Sequence, residues 1–324
     1  MNPKELNRRG ALRMAGTAAL AGAAAGCAST PTAAPAPARR PLAFNDPIWN
    51  REVSARLEAF ADPKKFVYGS VTGVVTGVRD GEKVRPLMRF EVFSTIRVVR
   101  QPDASYQRLC REVVFYRSLE TGQLMDEWDN PYTGERVKVV DVANDPYNYV
   151  ISDFYPQPPS YGGLNKESRP KRPYIRNWHM LDADTVGLES DIHLMYPSAM
   201  QPEKWPRESP GKMTRTSEMF RYSIRRADLE NAELDNIPYQ GVWNRITPWL
   251  PWMLMDQAPG HILYAGSMTA RQTLDFFPKD VLQRVRERHA KYLVAPEKVE
   301  GASLSSLERY ALEQTPAAPR NKKP

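Results

Sequence analysis

Histidine and cysteine are scarce in this chain, four of one and two of the other in 324 residues. His179, His193, His261 and His289 stand too far apart to nominate a metal site, and no metal or cofactor is expected. Two cysteines, Cys27 and Cys110, rule out a disulfide framework. The sequence also lacks G-x-S-x-G, H-E-x-x-H, a Walker loop, and a G-x-G-x-x-G following a strand. The commonest nucleophile, zinc-protease and nucleotide signatures are therefore missing. Basic charge is absent from the place where nucleic acid would need it. The net charge is +7, but residues 1–27 carry +3, Arg39 and Arg40 add two, and Arg320, Lys322 and Lys323 add three. Residues 41–319 are left at −1, without the basic face that phosphate binding requires, so no nucleic-acid partner is expected.

What the chain does have at its start reads as an export signal over residues 1–27. Lys4, Arg8, Arg9 and Arg13 precede Ala15–Gly26, an apolar run too short and mild for a transmembrane helix. Arg8-Arg9 followed by Leu12 and Arg13 resembles a twin-arginine signal; an ordinary secretory signal is the alternative. Ala24-Ala25-Gly26-Cys27 resembles a bacterial lipobox, which would put lipid on the Cys27 thiol, with simple cleavage nearby as the alternative. Acylated Cys27 would leave Cys110 without a partner. Ala28, standing where an aspartate would retain a lipoprotein inside, points to the periplasmic side of the outer membrane. Residues 28–44 form a Pro/Ala-rich tether, residues 45–295 a single domain, and residues 296–324 a flexible basic tail.

Within the domain, turn residues separate β-rich runs. Val67, Val71 and Val75 alternate with Gly69, Gly73 and Gly77, a spacing that suggests strong bending or close backbone approach. Arg79–Glu82 supplies a hairpin turn. The next run puts Met88, Phe90, Val92, Ile96 and Val98 on one face and Arg89, Glu91 and Arg97 on the other. Further strands are expected near 106–117, 123–128, 135–142, 174–181, 186–196, 213–226 and 260–269. Helices are expected over Ile48–Phe60 and Pro278–Leu293, the second from Val281, Leu282, Val285 and His289 at helical spacing. Pro156–Pro173 reads as a long surface loop. The fold class is mainly β, an antiparallel lipocalin-like β-barrel with N- and C-terminal helices.

Arg111-Glu112-Val113-Val114, Thr121-Gly122, Trp128, Asn130-Pro131-Tyr132-Thr133-Gly134-Glu135 and Val142-Ala143-Asn144-Asp145-Pro146 together resemble the central segment of the family DUF1838. TPWLPWM, ending at Met253, resembles a second block of that family. The resemblance implies one domain over most of residues 45–295. It implies no activity, cofactor or catalytic residue.

Candidate chemistry then rests on single residues. With an even-length turn at 182–185, Asn177, His179 and Leu181 would share an inward apolar face with Val186, Leu188 and Ile192. His179 would then be an acid or base oriented by Asp141, or a hydrogen-bonded core histidine. Asp141, Asn144 and Asp145 could supply a base and a positioning amide, or form a turn before Pro146. Trp128 and Asn130 carry the same ambiguity. Arg111 could pair with Glu112 or anchor an anionic ligand group. In TPWLPWMLM, residues 247–255, two prolines exclude a central strand or continued helix. Trp249, Trp252 and Met253 would plug the barrel as core or, with His261, line an apolar pocket. The functional expectation is a lipid-anchored envelope protein holding a bulky apolar or amphipathic small molecule. The alternative is an acid–base enzyme, an isomerase, cyclase or hydrolase, in the same cavity.

Overall fold

Valine and threonine alternate with glycine through VYGSVTGVVTGV, and the segment forms strand β1 (Val67–Val78). The computed structural model describes residues 39–164 and 166–320. The expected export signal and Cys27 lie outside the described residues. Eleven strands follow: β2 (Arg85–Arg100), β3 (Tyr106–Arg117), β4 (Glu127–Asp129), β5 (Arg136–Lys138), β6 (Val142–Asn144), β7 (Tyr149–Ile151), β8 (Asn177–Met180), β9 (Thr185–Pro197), β10 (Met213–Arg225), β11 (Gln240–Thr247) and β12 (His261–Arg271). Helix α1 (Pro47–Glu58) precedes them, α2 (Arg226–Glu230) follows β10, and α3 (Lys279–Arg288) and α4 (Ser306–Glu313) come last.

The main sheet runs β6–β3–β2–β1–β12–β11–β10–β9–β8, with β7 also on β3, while β4 and β5 form a separate hairpin. The ladders are antiparallel, as the meander of turn-separated runs predicts. The expected barrel is not closed by hydrogen bonds: among the described residues, no ladder joins β8 to β6 or β7. The reason lies in the edges. Strands β6, β7 and β8 are three or four residues long, and residues 152–176 between β7 and β8 contain five prolines, each lacking a ladder donor. Gly73 meets Gly266 across the β1–β12 ladder, where a Cβ would sit 2.0 Å from the Ala265 carbonyl oxygen, so the backbones approach as the glycine spacing predicts.

Helices and aromatic segments cover what the ladders leave open. Asp46 caps α1 through the Ile48 amide, and Pro47 sits at its first position. One face of α1 packs Trp49, Val53 and Leu57 on Trp178, Leu188 and Ile224 of β8, β9 and β10. Ala55 and the following Ala59 and Phe60 pack on Ile96, Val98 and Cys110 of β2 and β3. The helix therefore touches both halves of the sheet's inner face. A second cluster gathers Trp249, Trp252, Met253 and Met255 with Phe90, Tyr116, Tyr264, Trp128 and Val137. On the outer face, α3 lays Val281 and Val285 against Phe93, Val113 and Phe115.

The expected flexible tail contains a docked helix. Ser305 and Glu308 form a capping box at the start of α4. Leu307 and Tyr310 pack on Met200 and Trp205, and α4 also lies beside β6. Arg320 reaches Glu135 and Asp256. The S-x-x-E spacing was a readable helix signal, masked by the proline and basic residues after it.

Candidate functional site

Strand parity and register decide which side chains meet on the inner face. One row across the sheet reads Ile192, Glu218, Arg245, Tyr264, Val75, Met88. The next reads Ser190, Phe220, Trp243, Gly266, Gly73, Phe90, Tyr116. Another places Asn144, Glu112, Ser94, Gly69 and Ala270 side by side. Charged residues thus stand at inward positions between the α1 cluster and the TPWLPWM cluster.

Arg245 and Glu218 lie 3.5 Å apart with 22% of each side chain exposed, so solvent reaches this interior belt. Arg245 Nε also donates to Thr216 Oγ1 at 3.3 Å. Glu112 accepts from Asn144 Nδ2 at 3.2 Å. Burial raises the Glu112 carboxyl above the ordinary glutamate range; Glu218 reinforces this, while Asn144, Arg108 and Arg245 oppose it. Nearer α1, Arg108 Nε and Tyr149 Oη both donate to Glu58, at 2.8 and 2.7 Å. Burial works to raise Glu58, but Arg108 and the Tyr149 hydroxyl outweigh it and hold the carboxylate low. Tyr116 and Tyr264 share a hydroxyl contact of 2.9 Å. Burial pushes Tyr264 and Tyr222 up to about 12, so both phenols stay neutral donors at physiological pH. Tyr161 enters from the long loop onto Tyr196, ring centroids 4.7 Å apart. Cys110 sits among these residues as a buried thiol that burial pushes up to about 12, and it is inert.

The sequence candidates fall differently. The β8–β9 register pairs Met180 with Val186 and His179 with Gly187, one residue off an even-length turn. That single step turns His179 to the outer face, where its ring lies over Gly187, and turns Trp178 inward. Asp141 accepts instead from His289 Nε2 at 3.0 Å. Arg111 points away from Glu112. It donates to Asp145 Oδ1 at 3.2 Å, to the Lys291 and Val294 carbonyls at 2.9 Å, and to Glu300 through a bidentate pair. Its role there is a clasp on the chain after α3.

Asn130 is buried, with Nδ2 donating to the Met253 carbonyl at 2.7 Å, which ties the β4–β5 hairpin to the TPWLPWM turn. Trp128 stands edge-on to Trp252 at 5.8 Å, and Trp249 donates to the Ala258 carbonyl at 3.0 Å. With Met253 fully buried, these five residues are packed core. His261 opens β12 opposite Val78. Of the candidates, Asn144 alone joins the charged belt.

Glu112, Arg245 and Glu218 escaped the sequence reading. Their signal was a charge at inward parity: Glu218 alternates with Thr216, Phe220 and Tyr222, and Glu112 with Cys110 and Val114. Two open hollows of about 490 and 380 Å³ lie elsewhere, beside Glu82–Pro86 and beside Pro63, Arg97 and Glu297, and none of the candidates lines them. Among the described residues no three His, Cys, Asp or Glu side chains gather as metal ligands.

No curated protein matches the chain. A family model does match, over residues 65–312, a span that includes β1 to β12, the charged belt and most of α4. The chain therefore belongs to DUF1838, a family of proteins of unknown function.

Proposed function

We propose that this is an exported, lipid-anchored envelope protein that binds an amphipathic small molecule against the inner face of its sheet. In this reading the sheet serves as a barrel-like container, with α1 across one end, the TPWLPWM cluster at the other and α4 along the open side. One observation carries it: Arg245 and Glu218 remain part-exposed at inward positions, between two aromatic clusters. Folding normally excludes charge from such positions, and a bound polar group would repay the desolvation. The basic start of the chain and the small residues before Cys27 support export and anchoring. The test is to purify the protein from its own host and identify copurifying small molecules by mass spectrometry. Reproducible recovery of one amphipathic compound in near-stoichiometric amount is expected; protein free of any small molecule would count against the reading.

A second reading, acid–base chemistry in the same interior, is favoured by Glu112. Its carboxyl is raised above the ordinary glutamate range by burial and held by the Asn144 amide, as suits a group that gives and takes a proton. Glu112 takes the role expected of His179. Conversion of the copurified compound by the wild type and not by Glu112→Gln supports this reading, and equal conversion by both excludes Glu112.

A further inference from the structure

We propose that the interior contains an anion subsite centred on Arg245 and that its occupant is the carboxylate of an aromatic acid. The inference rests on the small-molecule reading above and names the class of ligand.

A guanidinium offers five N–H donors in a fixed planar fork. Arg245 uses one edge of that fork: Nε faces Thr216 Oγ1 at 3.3 Å and Glu218 Oε1 at 3.5 Å. Among the described residues, neither terminal nitrogen has a hydrogen-bond acceptor. Both stay within reach of solvent on a part-exposed side chain, and two parallel N–H vectors match a carboxylate bidentately. A further donor stands beside it. Tyr264 is the cross-strand neighbour of Arg245, and its contact with Tyr116 uses one of the two hydroxyl hydrogens, leaving the other to donate. Glu218 sits at the Nε edge and leaves the opposite edge open to an anion.

The neighbouring row supplies the shape of the ligand. Trp243, two residues before Arg245 on β11, meets Phe90 at 5.8 Å and 66° and Tyr264 at 5.5 Å and 53°. Gly73 and Gly266 lie between these rings in the register, and a Cβ on Gly266 would come within 2.7 Å of Phe90 Cζ. The Phe90 ring therefore fills the space over Gly266, and half-buried Trp243, beside the Arg245 strand position, is the ring that keeps open surface for a flat aromatic body whose charged end meets the guanidinium. An aliphatic acid would fit the fork and leave the open surface of Trp243 without an aromatic partner.

The test titrates the full-length protein calorimetrically with 2-naphthoate and, separately, with the neutral 2-naphthalenemethanol. The naphthoate is expected to bind one site at least about 10-fold more tightly than the alcohol and to weaken as salt is raised. Arg245→Met should bring naphthoate down to the level of the alcohol, and Glu218→Gln should tighten it by removing a competing carboxylate. If Arg245→Met fails to fold, by circular dichroism, the Arg245→Met/Glu218→Gln pair removes both charges together and must show the same selective loss. Equal binding of the two probes to the wild type overturns the anion subsite while leaving a ligand site in place. Naphthoate binding that survives loss of Arg245, or that Glu218→Gln leaves unchanged, also overturns it. Failure of naphthoate to bind folded protein overturns the aromatic-acid class, and the small-molecule reading then stands or falls on what copurifies.

Discussion

Replacing Trp252 with alanine separates a core plug from a ligand wall. The indole is 1% exposed, stands 5.3 Å from the Tyr116 ring and meets Trp128 nearly perpendicularly. A buried tryptophan removes about 200 Å² from water, and at about 25 cal/mol per Å² that is about 5 kcal/mol. Partial collapse of the surrounding Met253 and Met255 would recover some of it, so the expected loss is about 3–5 kcal/mol. No hydrogen bond is lost with the ring, because Trp252 Nε1 is buried without a partner. Trp252→Phe, which keeps an aromatic ring and removes that unsatisfied donor, should therefore cost clearly less than the alanine change. Urea denaturation followed by circular dichroism reads both, and the alanine variant should lower the midpoint by about 1 M or more. Retention of copurifying small molecule is measured on the fraction that remains folded. A loss below about 1.5 kcal/mol, or an unchanged midpoint with the small molecule gone, would refute the core assignment and return Trp252 to the site.

Four further outcomes are expected. Because burial raises Glu112, ionising it costs folded stability: wild type and Glu112→Gln should match below the ordinary glutamate value of about 4.3, and the wild type should fall behind as pH rises through the raised value. Denaturation midpoints across that range check this, and a gap that widens as pH falls would reverse the sign. Arg111→Ala removes the clasp on Lys291, Val294 and Glu300, so proteolysis near residues 291–305 should accelerate with ligand retention unchanged; lost retention in folded protein would make Arg111 a ligand anchor. His179→Ala, on the outer face, should change stability by less than about 0.5 kcal/mol and leave function intact, and any selective loss of turnover would contradict its placement. Cys27→Ser should leave the protein folded and move it from the membrane to the soluble envelope fraction, while Arg8→Lys with Arg9→Lys should block export; fatty-acid labelling of the serine variant would remove Cys27 as the lipid site.

Much of the fold was legible because its causes are local. Alternation in Phe66–Val78 and Met88–Val98 follows from strand pleat, and the helical spacing of Val281, Leu282 and Val285 from the 3.6-residue turn. The antiparallel class follows from short turns between successive runs, and membership of the family from contiguous blocks of residues. Strand β11 was missed since Gln240-Gly241 opens it without a β-branched run, and the edges β6 and β7 since three residues carry little periodicity.

The site was decided by tertiary structure. Turn length between β8 and β9 differs by one residue from the expected even count, and a period of two converts that step into a reversal of face for His179. Glu112 meets Asn144 across 32 residues and Arg245 meets Glu218 across a β10–β11 ladder, pairings that no local spacing specifies. Closure was likewise non-local: proline-rich residues 152–176 withhold the donors a final ladder would need, so α1 and α4 cover the sheet instead. The sequence determined which residues alternate; only the register between distant strands determined which charges share the interior.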